Sequence, residues 1–387
     1  MRFDSTLYYH FAEPYEWEKL IDEFEEEVKF LDEAGFTTAW IAEHHFSWDG
    51  WFRATTNPIL VGSHLAAHTK RLRVGQCGVV LPDWHPLRVA EDIAMLDQLT
   101  RGRVDFGVAR GYNSRAALQF NVNADRRDQK RNFAIFSECL DIIIGAWTNE
   151  AFTYKGEFYS FPVPGWTEVS PHTYDPRYHS PDGELTALGV VPKPFQKPHP
   201  PIWQMADSAS SHRFAAGRGL GVICMRSSPE KIRQMWEAYQ DAASDKRGES
   251  ISFGDNLAIM RPTYVARTME EAVADIRWGV NHRESLTSTK PDQLRRGELA
   301  EGELTEDDLI MDAFDFQLSH DLILVGTPDS VAEQIERLRS QLNCQHLVLF
   351  HNQPGLTFEK VMRSLDLFTE QVMPRFQRAE PARQLNS

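Results

Sequence analysis

Residues 72–111 read LRVGQCGVVLPDWHPLRVAEDIAMLDQLTRGRVDFGVARG, and three segments separate within them. The apolar, β-branched run at 72–81 reads as a strand. Pro86 can open a helix because its missing N–H costs nothing at a first turn, and Val89, Ile93 and Leu96 then fall on one helix face as far as Thr100. A second strand occupies 102–111. A strand, a helix and a strand joined this closely form a βαβ unit, which requires parallel strands and a right-handed crossover.

The alternation continues in both directions. Upstream, RFDSTLYYHF starts a strand near residue 2, and a helix from Pro14 to Gly35 carries Trp17, Leu20, Phe24, Val28 and Leu31 at helical spacing. A strand at 37–42 and a helix from Pro58 to Thr69 follow. Downstream come a helix from Asp128 to Trp147 and a hairpin at 152–161. Strands near 202, 220 and 256 follow, with a helix from Pro229 to Ala243. The chain then has a helix presenting Val331, Ile335, Leu338 and Leu342, the strand HLVLF near 346, and a last helix with Phe358, Met362, Leu365 and Phe368 on one side.

Strands near 2, 37, 73, 103, 202, 220, 256 and 346, most followed by a helix, predict one (β/α)8 TIM-barrel domain over residues 1–387. A doubly wound open sheet is the rival, but no GxGxxG opens a helix. The rhythm breaks twice. Residues 162–201 hold ten of the 21 prolines and read as an extended surface insertion, with a plain linker as the alternative, and 281–320 read as a charged, weakly patterned insertion.

Hydrophobic residues at 42% supply a core, and 56 acidic against 41 basic residues give a formal charge of -15, which opposes binding to nucleic acid or an anionic membrane. Cys77, Cys139, Cys224 and Cys344 lie far apart with no CxxC, so reduced thiols and a cytoplasmic protein are expected. No run of apolar residues is long enough to span a bilayer, and the N-terminal stretch lacks the apolar centre of a secretion signal.

In a barrel the site lies past the C-terminal ends of the strands. TTAWIAEHHF at 37–46 ends there in His44 and His45. Strand alternation lets one of them face the interior, which suggests one reacting and one positioning imidazole. Two capped structural histidines would give the same sequence. Cys77 and Gly78 suggest close approach by a ligand or a plain strand kink. Arg110 and Gly111 end the fourth strand, while Ser208, Ser210 and Ser211 open a helix after the fifth; together they suit a phosphate, although a serine N-cap alone is commoner. His64 and His68 form an HxxxH that reads as surface. A metal-dependent hydrolase using His44, His45 and His85 is a further possibility.

AEHHF, VVLPDWHPLRVAEDIAMLDQLTRGRVDFGVARG, ADSASSHRFAA and VGTPDSVAEQI together resemble the bacterial luciferase-like flavin monooxygenases, through nearly the whole chain and in the family's motif order. They are more like the luciferase alpha subunit than the deazaflavin-dependent branch. The resemblance implies reduced FMN as co-substrate, supplied by a separate NAD(P)H:flavin reductase, and a flavin C4a-hydroperoxide that oxygenates a small organic substrate. It makes His44 the active-site histidine with His45 beside it, and Cys77 and Gly78 a cis pair under the flavin ring. Arg110, Tyr112, Asp207, Ser208 and Ser211 become the residues holding the FMN phosphate and ribityl chain. It also implies a homodimer and a lid at 281–320, with no metal. Ala109 stands where luciferases carry a reactive thiol, so light emission is not implied. The alternatives within the resemblance are deazaflavin-dependent hydride transfer and a non-catalytic flavin-binding protein. Phe46, Trp48, Trp51, Phe52, Trp84 and Trp203 follow strand ends and would dry the mouth, although aromatic residues more often belong to plain core.

Overall fold

The computed structural model describes residues 1–9, 15–46, 55–112, 114–285 and 289–377. Eight parallel strands close a barrel: β1 (Arg2–Leu7), β2 (Thr38–Ile41), β3 (Arg73–Gln76), β4 (Val104–Ala109), β5 (Ile202–Met205), β6 (Gly221–Cys224), β7 (Leu257–Val265) and β8 (His346–Phe350). Each pairs with its sequence neighbours, and β8 returns to β1 with Arg2 beside His346 and Ser5 beside Leu349. Two short strands add to this ring. Val79–Val80 extends the third strand's path along β4, and Leu324–Gly326 pairs with the end of β7.

Residue size explains how the interior is filled. Alternation turns Trp40 of β2 and Trp203 of β5 inward. Trp40 is in register with Gly75, and Trp203 with both Gly107 and Gly221. A Cβ on Gly75 would lie 2.4 Å from the Trp40 ring and one on Gly221 2.5 Å from the Trp203 ring, so those glycines make the space the two indoles fill. Trp203 therefore fills the barrel's middle and does not line its mouth as the sequence suggested.

Beneath the indoles lies a charged layer. Arg2 pairs with Asp4 at 2.9 Å and with Asp105 at 3.0 Å, Arg73 pairs with Asp105 at 2.9 Å, and Asp4 also accepts from Trp40 Nε1 at 2.8 Å and meets His346 Nε2 at 2.7 Å. Burial alone would raise the Asp4 carboxyl, but His346 and Arg2 override it and hold it at about 2. This closes the N-terminal end of the barrel and leaves the other end for chemistry.

The helices pack outside as their periodicity requires. Leu20, Phe24, Val28 and Leu31 of the helix Trp17–Ala34 are fully buried, each contributing on the order of 2 kcal/mol. Trp17 was expected on that face but, as the first helical residue, is 46% exposed. The hairpin Tyr154–Lys155 with Ser160–Phe161 is present, and 162–201 is irregular, as expected. The last part of that insertion runs under the barrel: Gln196 donates to Asp97 and accepts from Arg73 at the N-terminal face, away from the mouth. That face is where a parallel β5 must begin.

The region 281–320 is helical, contrary to its weak pattern. The helix Met269–Ser285 reaches into it, and Pro291–Glu298, Glu306–Ile310 and Ala313–Ser319 follow. These helices are too short for an apolar period to show. A small apolar cluster of Leu299, Phe316 and Leu322 packs them, and local chemistry adds a Thr305–Asp308 capping box, the Asp312 N-cap, and Arg277 bridging Asp312 and Asp315 at 2.7 and 2.6 Å.

Candidate active site

Alternation along β2 continues past its end and separates the two histidines. His44 is in phase with Trp40 and faces the barrel interior; His45 faces outward. His45 Nε2 lies 3.0 Å from Glu43 Oε1, and Glu43 also accepts from Trp84 Nε1 at 2.9 Å and from Val80 N–H at 3.1 Å. The buried carboxylate thus ties the end of β2 to the segment after β3 and orients His45. Burial and then the neighbouring His45 push the His44 imidazole down to about 4, so it is neutral across the ordinary working range.

His44 stands in an aromatic row. Tyr8 stacks on it at 4.9 Å, Phe350 stacks on Tyr8 at 5.3 Å, and Tyr112 meets His44 edge-on at 5.4 Å. Cys77, Met205 and Met225 complete this upper layer, with Cys77 Sγ 3.6 Å from Met205 Sδ. Burial raises the Cys77 thiol to about 12, so it stays protonated and is no nucleophile. The Cys77–Gly78 peptide is cis. Gly78 lies so close to β4 that a Cβ would stand 2.8 Å from the Val108 carbonyl carbon.

The mouth has a cationic side at the ends of β4 and β5. Val108 is in register with Gln204, so Arg110 and Tyr112 rise beside Ala206 and Ser208. Arg110 donates to the Gln129 carbonyl at 2.8 Å and to Asn132 Oδ1 at 3.2 Å, and lies over the Phe133 ring at 5.0 Å. Arg126 donates to the same Asn132 oxygen at 2.9 Å, while its Nε is buried with no hydrogen-bond partner among the described residues. Burial and then Arg126 push the Arg110 guanidinium down to about 10. Among the described residues neither arginine has an ion pair. Phe133 meets Phe214 at 4.9 Å, which packs this pair against the helix Ala209–Arg218.

That helix begins at the Ser208 N-cap. Ser208 Oγ lies 2.9 Å from Ser211 Oγ and accepts from the Ser211 N–H at 3.3 Å. Two half-buried guanidiniums without a carboxylate, beside a helix N-terminus that carries serine hydroxyls, fit a phosphate dianion. Asp207 Oδ1 accepts the Met225 N–H at 2.8 Å and so fastens the end of β5 to that of β6. Arg126 is the residue the sequence reading missed; a second arginine 16 positions after Arg110 carries no local signal, and only the fold brings them together.

Other expectations resolve less centrally. Phe46 is 48% exposed and stacks on Phe120 at 5.3 Å, while Trp48, Trp51 and Phe52 lie outside the described residues. His85 packs on Tyr159 and Phe161, apart from His44, so the three histidines of the hydrolase reading do not converge. Among the described residues the His/Cys/Asp/Glu group close enough to share a metal is Glu25, His64 and His68, outside the barrel, where Glu25 supplies the acid the HxxxH lacked in sequence. A cavity of about 340 Å³ lined by Asp83, Trp84, His85, Phe120 and Tyr159 opens beside the mouth, on the far side of Glu43. No described helix is long and apolar enough to cross a membrane.

A closed parallel barrel with two guanidiniums lacking a carboxylate at one rim and an apolar mouth around a neutral imidazole is the layout of a barrel enzyme whose site lies past the C-terminal ends of its strands. The chain belongs to the luciferase-like monooxygenase family, whose model matches residues 1–343. It is 26% identical over 372 residues to the oxygenase component of the flavin-dependent trigonelline monooxygenase of Acinetobacter baylyi, covering 92% of this chain and 90% of that one. The fold resembles the FMN-complexed oxygenating constituent of 3,6-diketocamphane monooxygenase from Pseudomonas putida, with TM-score 0.77 over 98% of this chain and 100% of that chain at 19% identity. It also resembles the coenzyme F420-dependent tetrahydromethanopterin reductase of Methanopyrus kandleri, with TM-score 0.64 over 97% and 99% at 16% identity. At these identities the two structures speak for the fold alone.

Proposed function

We infer that this protein is the oxygenase of a two-component system, taking reduced FMN from a separate NAD(P)H:flavin reductase and O2 to oxygenate a small organic substrate. The observation that carries the reading is the pairing of the Arg110–Arg126 dock with an apolar mouth centred on His44. Arg110, Arg126, Ser208 and Ser211 would hold the phosphate, and Tyr112 would support the ribityl chain. When bound, reduced FMN supplies the electrons that activate O2 for transfer of one oxygen atom to the substrate. Tyr8, Cys77, Met205, Met225 and Phe350 exclude water from the reacting centre. His44, neutral at working pH, hydrogen-bonds the reacting oxygen and takes or returns a proton at its unprotonated ring nitrogen. His45 and Glu43 position it. The name of the trigonelline relative's component supports the partnership with a reductase. A homodimer and a cytoplasmic location complete the proposal.

The F420-dependent neighbour defines the competing reading, hydride transfer on a deazaflavin with no oxygen consumed. An oxygen electrode, with the reductase and a panel of organic substrates read by mass spectrometry, separates the two. The proposal predicts oxygen uptake that needs FMN and a product heavier by one oxygen atom, reduced strongly in His44→Ala with flavin binding retained. Turnover with reduced F420 and no oxygen uptake would replace the proposal, and tight flavin binding without turnover would make the protein a flavin carrier.

A further inference from the structure

Across the barrel from the phosphate dock, the mouth has a second cationic pole. In the closed order of strands β8 stands opposite β4. The helix Met269–Ser285 follows β7 and brings Arg283 over the Phe350 ring of β8, at 5.1 Å. The aromatic row therefore runs Tyr112, His44, Tyr8, Phe350 and ends on a guanidinium. A cation in the last turn of a helix ordinarily complements the helix dipole from solvent. This one instead folds inward, where burial and then Arg226 push it down to about 10.

The charges around it do not balance. Three guanidiniums, Arg226, Arg283 and Arg295, share this side of the mouth. Arg226 Nε donates to Glu298 at 2.6 Å, and Arg295 pairs with Glu284 at 3.1 Å. Arg283 donates one long hydrogen bond, 3.4 Å to Gln317 Oε1, and among the described residues forms no ion pair. Glu298 and Glu284 also act on Arg283 electrostatically, but each is held by another guanidinium, so three cations share these two carboxylates beside the proposed reacting centre. Burying a charge this way is unfavourable unless a partner arrives.

Resting on the oxygenase reading, we propose that Arg283 is the anchor for an anionic group of the substrate, making this oxygenase selective for small organic acids. The guanidinium fork receives the carboxylate in two parallel hydrogen bonds, Arg226 adds to the local field, and the substrate's apolar body lies along Phe350 and Tyr8 toward His44. The same cation could instead face the electron-rich edge of the reduced flavin, and the test separates these two anions.

The test is calorimetric titration of the protein, saturated with FMN so that the phosphate dock is filled, with benzoate, nicotinate and hexanoate, each against its uncharged amide. At least one acid should bind about tenfold or more tightly than its amide, the scale of a charge-assisted contact. Arg283→Met should bring that ratio to within about twofold while Arg283→Lys keeps part of it, and reduced FMN should bind Arg283→Met as it binds the unaltered protein. Acid-to-amide ratios near one throughout would overturn the proposal in the unaltered protein alone, whatever the folding of the variants. So would an unchanged ratio in Arg283→Met, or a loss of reduced-flavin affinity there with the ratio intact, which would assign the cation to the flavin. Failure of the unaltered protein to bind reduced FMN would instead remove the oxygenase reading, while the acid preference remains measurable on flavin-free protein.

Discussion

Replacing Arg110 with methionine should weaken FMN binding without weakening the protein. In the free chain Arg110 and Arg126 share one acceptor, Asn132 Oδ1, and repel one another; the repulsion and burial show in an Arg110 guanidinium held at about 10. The lost hydrogen bonds, to the Gln129 carbonyl and to Asn132, are worth about 1 kcal/mol each, and relief of the repulsion offsets them, so unfolding stability should move by less than about 1 kcal/mol. With FMN bound the balance changes. The dianion would be the partner both guanidiniums lack, and one charge-assisted contact is worth about 1.5–3 kcal/mol, or about 10- to 150-fold in Kd. Anaerobic titration of reduced FMN into both proteins measures this, with riboflavin as the ligand that has no phosphate. FMN should lose affinity on that scale and riboflavin hardly at all. Equal losses for the two ligands, or an FMN affinity within about twofold of the original, would refute the phosphate dock.

Three further outcomes follow from the structure. Because the folded His44 pKa of about 4 lies below the unfolded value, the unfolded chain binds more protons between these limits; stability should rise with pH from about 4 to 6.5, by on the order of 3 kcal/mol, and His44→Gln should flatten that limb in urea titrations. Asp83 behaves oppositely: burial and then Glu43 raise it to about 7, so the folded chain holds a proton the unfolded chain has lost, stability falls between about pH 4 and 7, and Asp83→Asn should remove the loss. Glu27 accepts from Tyr9 and lies 2.9 Å from His351 Nε2, whose Nδ1 is 2.9 Å from Ser5 Oγ. This resembles a nucleophile triad but is sealed between barrel and helix, so Glu27→Ala should cost about 3–5 kcal/mol of stability, read by urea unfolding, and inhibitors of serine hydrolases should not label Ser5.

What the sequence made legible follows the range of the interactions. All eight barrel strands lie where their apolar runs predicted, and alternation alone separates His44 from His45, because both signals are local. The helix of 86–100 was equally plain, with proline to start it and one apolar face. The helices between 281 and 320 were not, since each is too short for an apolar stripe and their packing residues, Leu299, Phe316 and Leu322, come from separate segments. Arg126, Arg283 and the tie from Asp207 to Met225 depend on which segments meet in space, and no periodicity encodes that. Trp203 was misplaced for the same reason: its depth is set by Gly107 and Gly221 on neighbouring strands.

The central claim is that the barrel mouth seats FMN between the arginine dock and His44, and a crystal structure of the protein with FMN tests it most directly. The account predicts the phosphate within hydrogen-bonding distance of Arg110 and Arg126 and the ring over Cys77–Gly78 beside His44. A flavin seated elsewhere, or a phosphate that touches neither arginine, would contradict it.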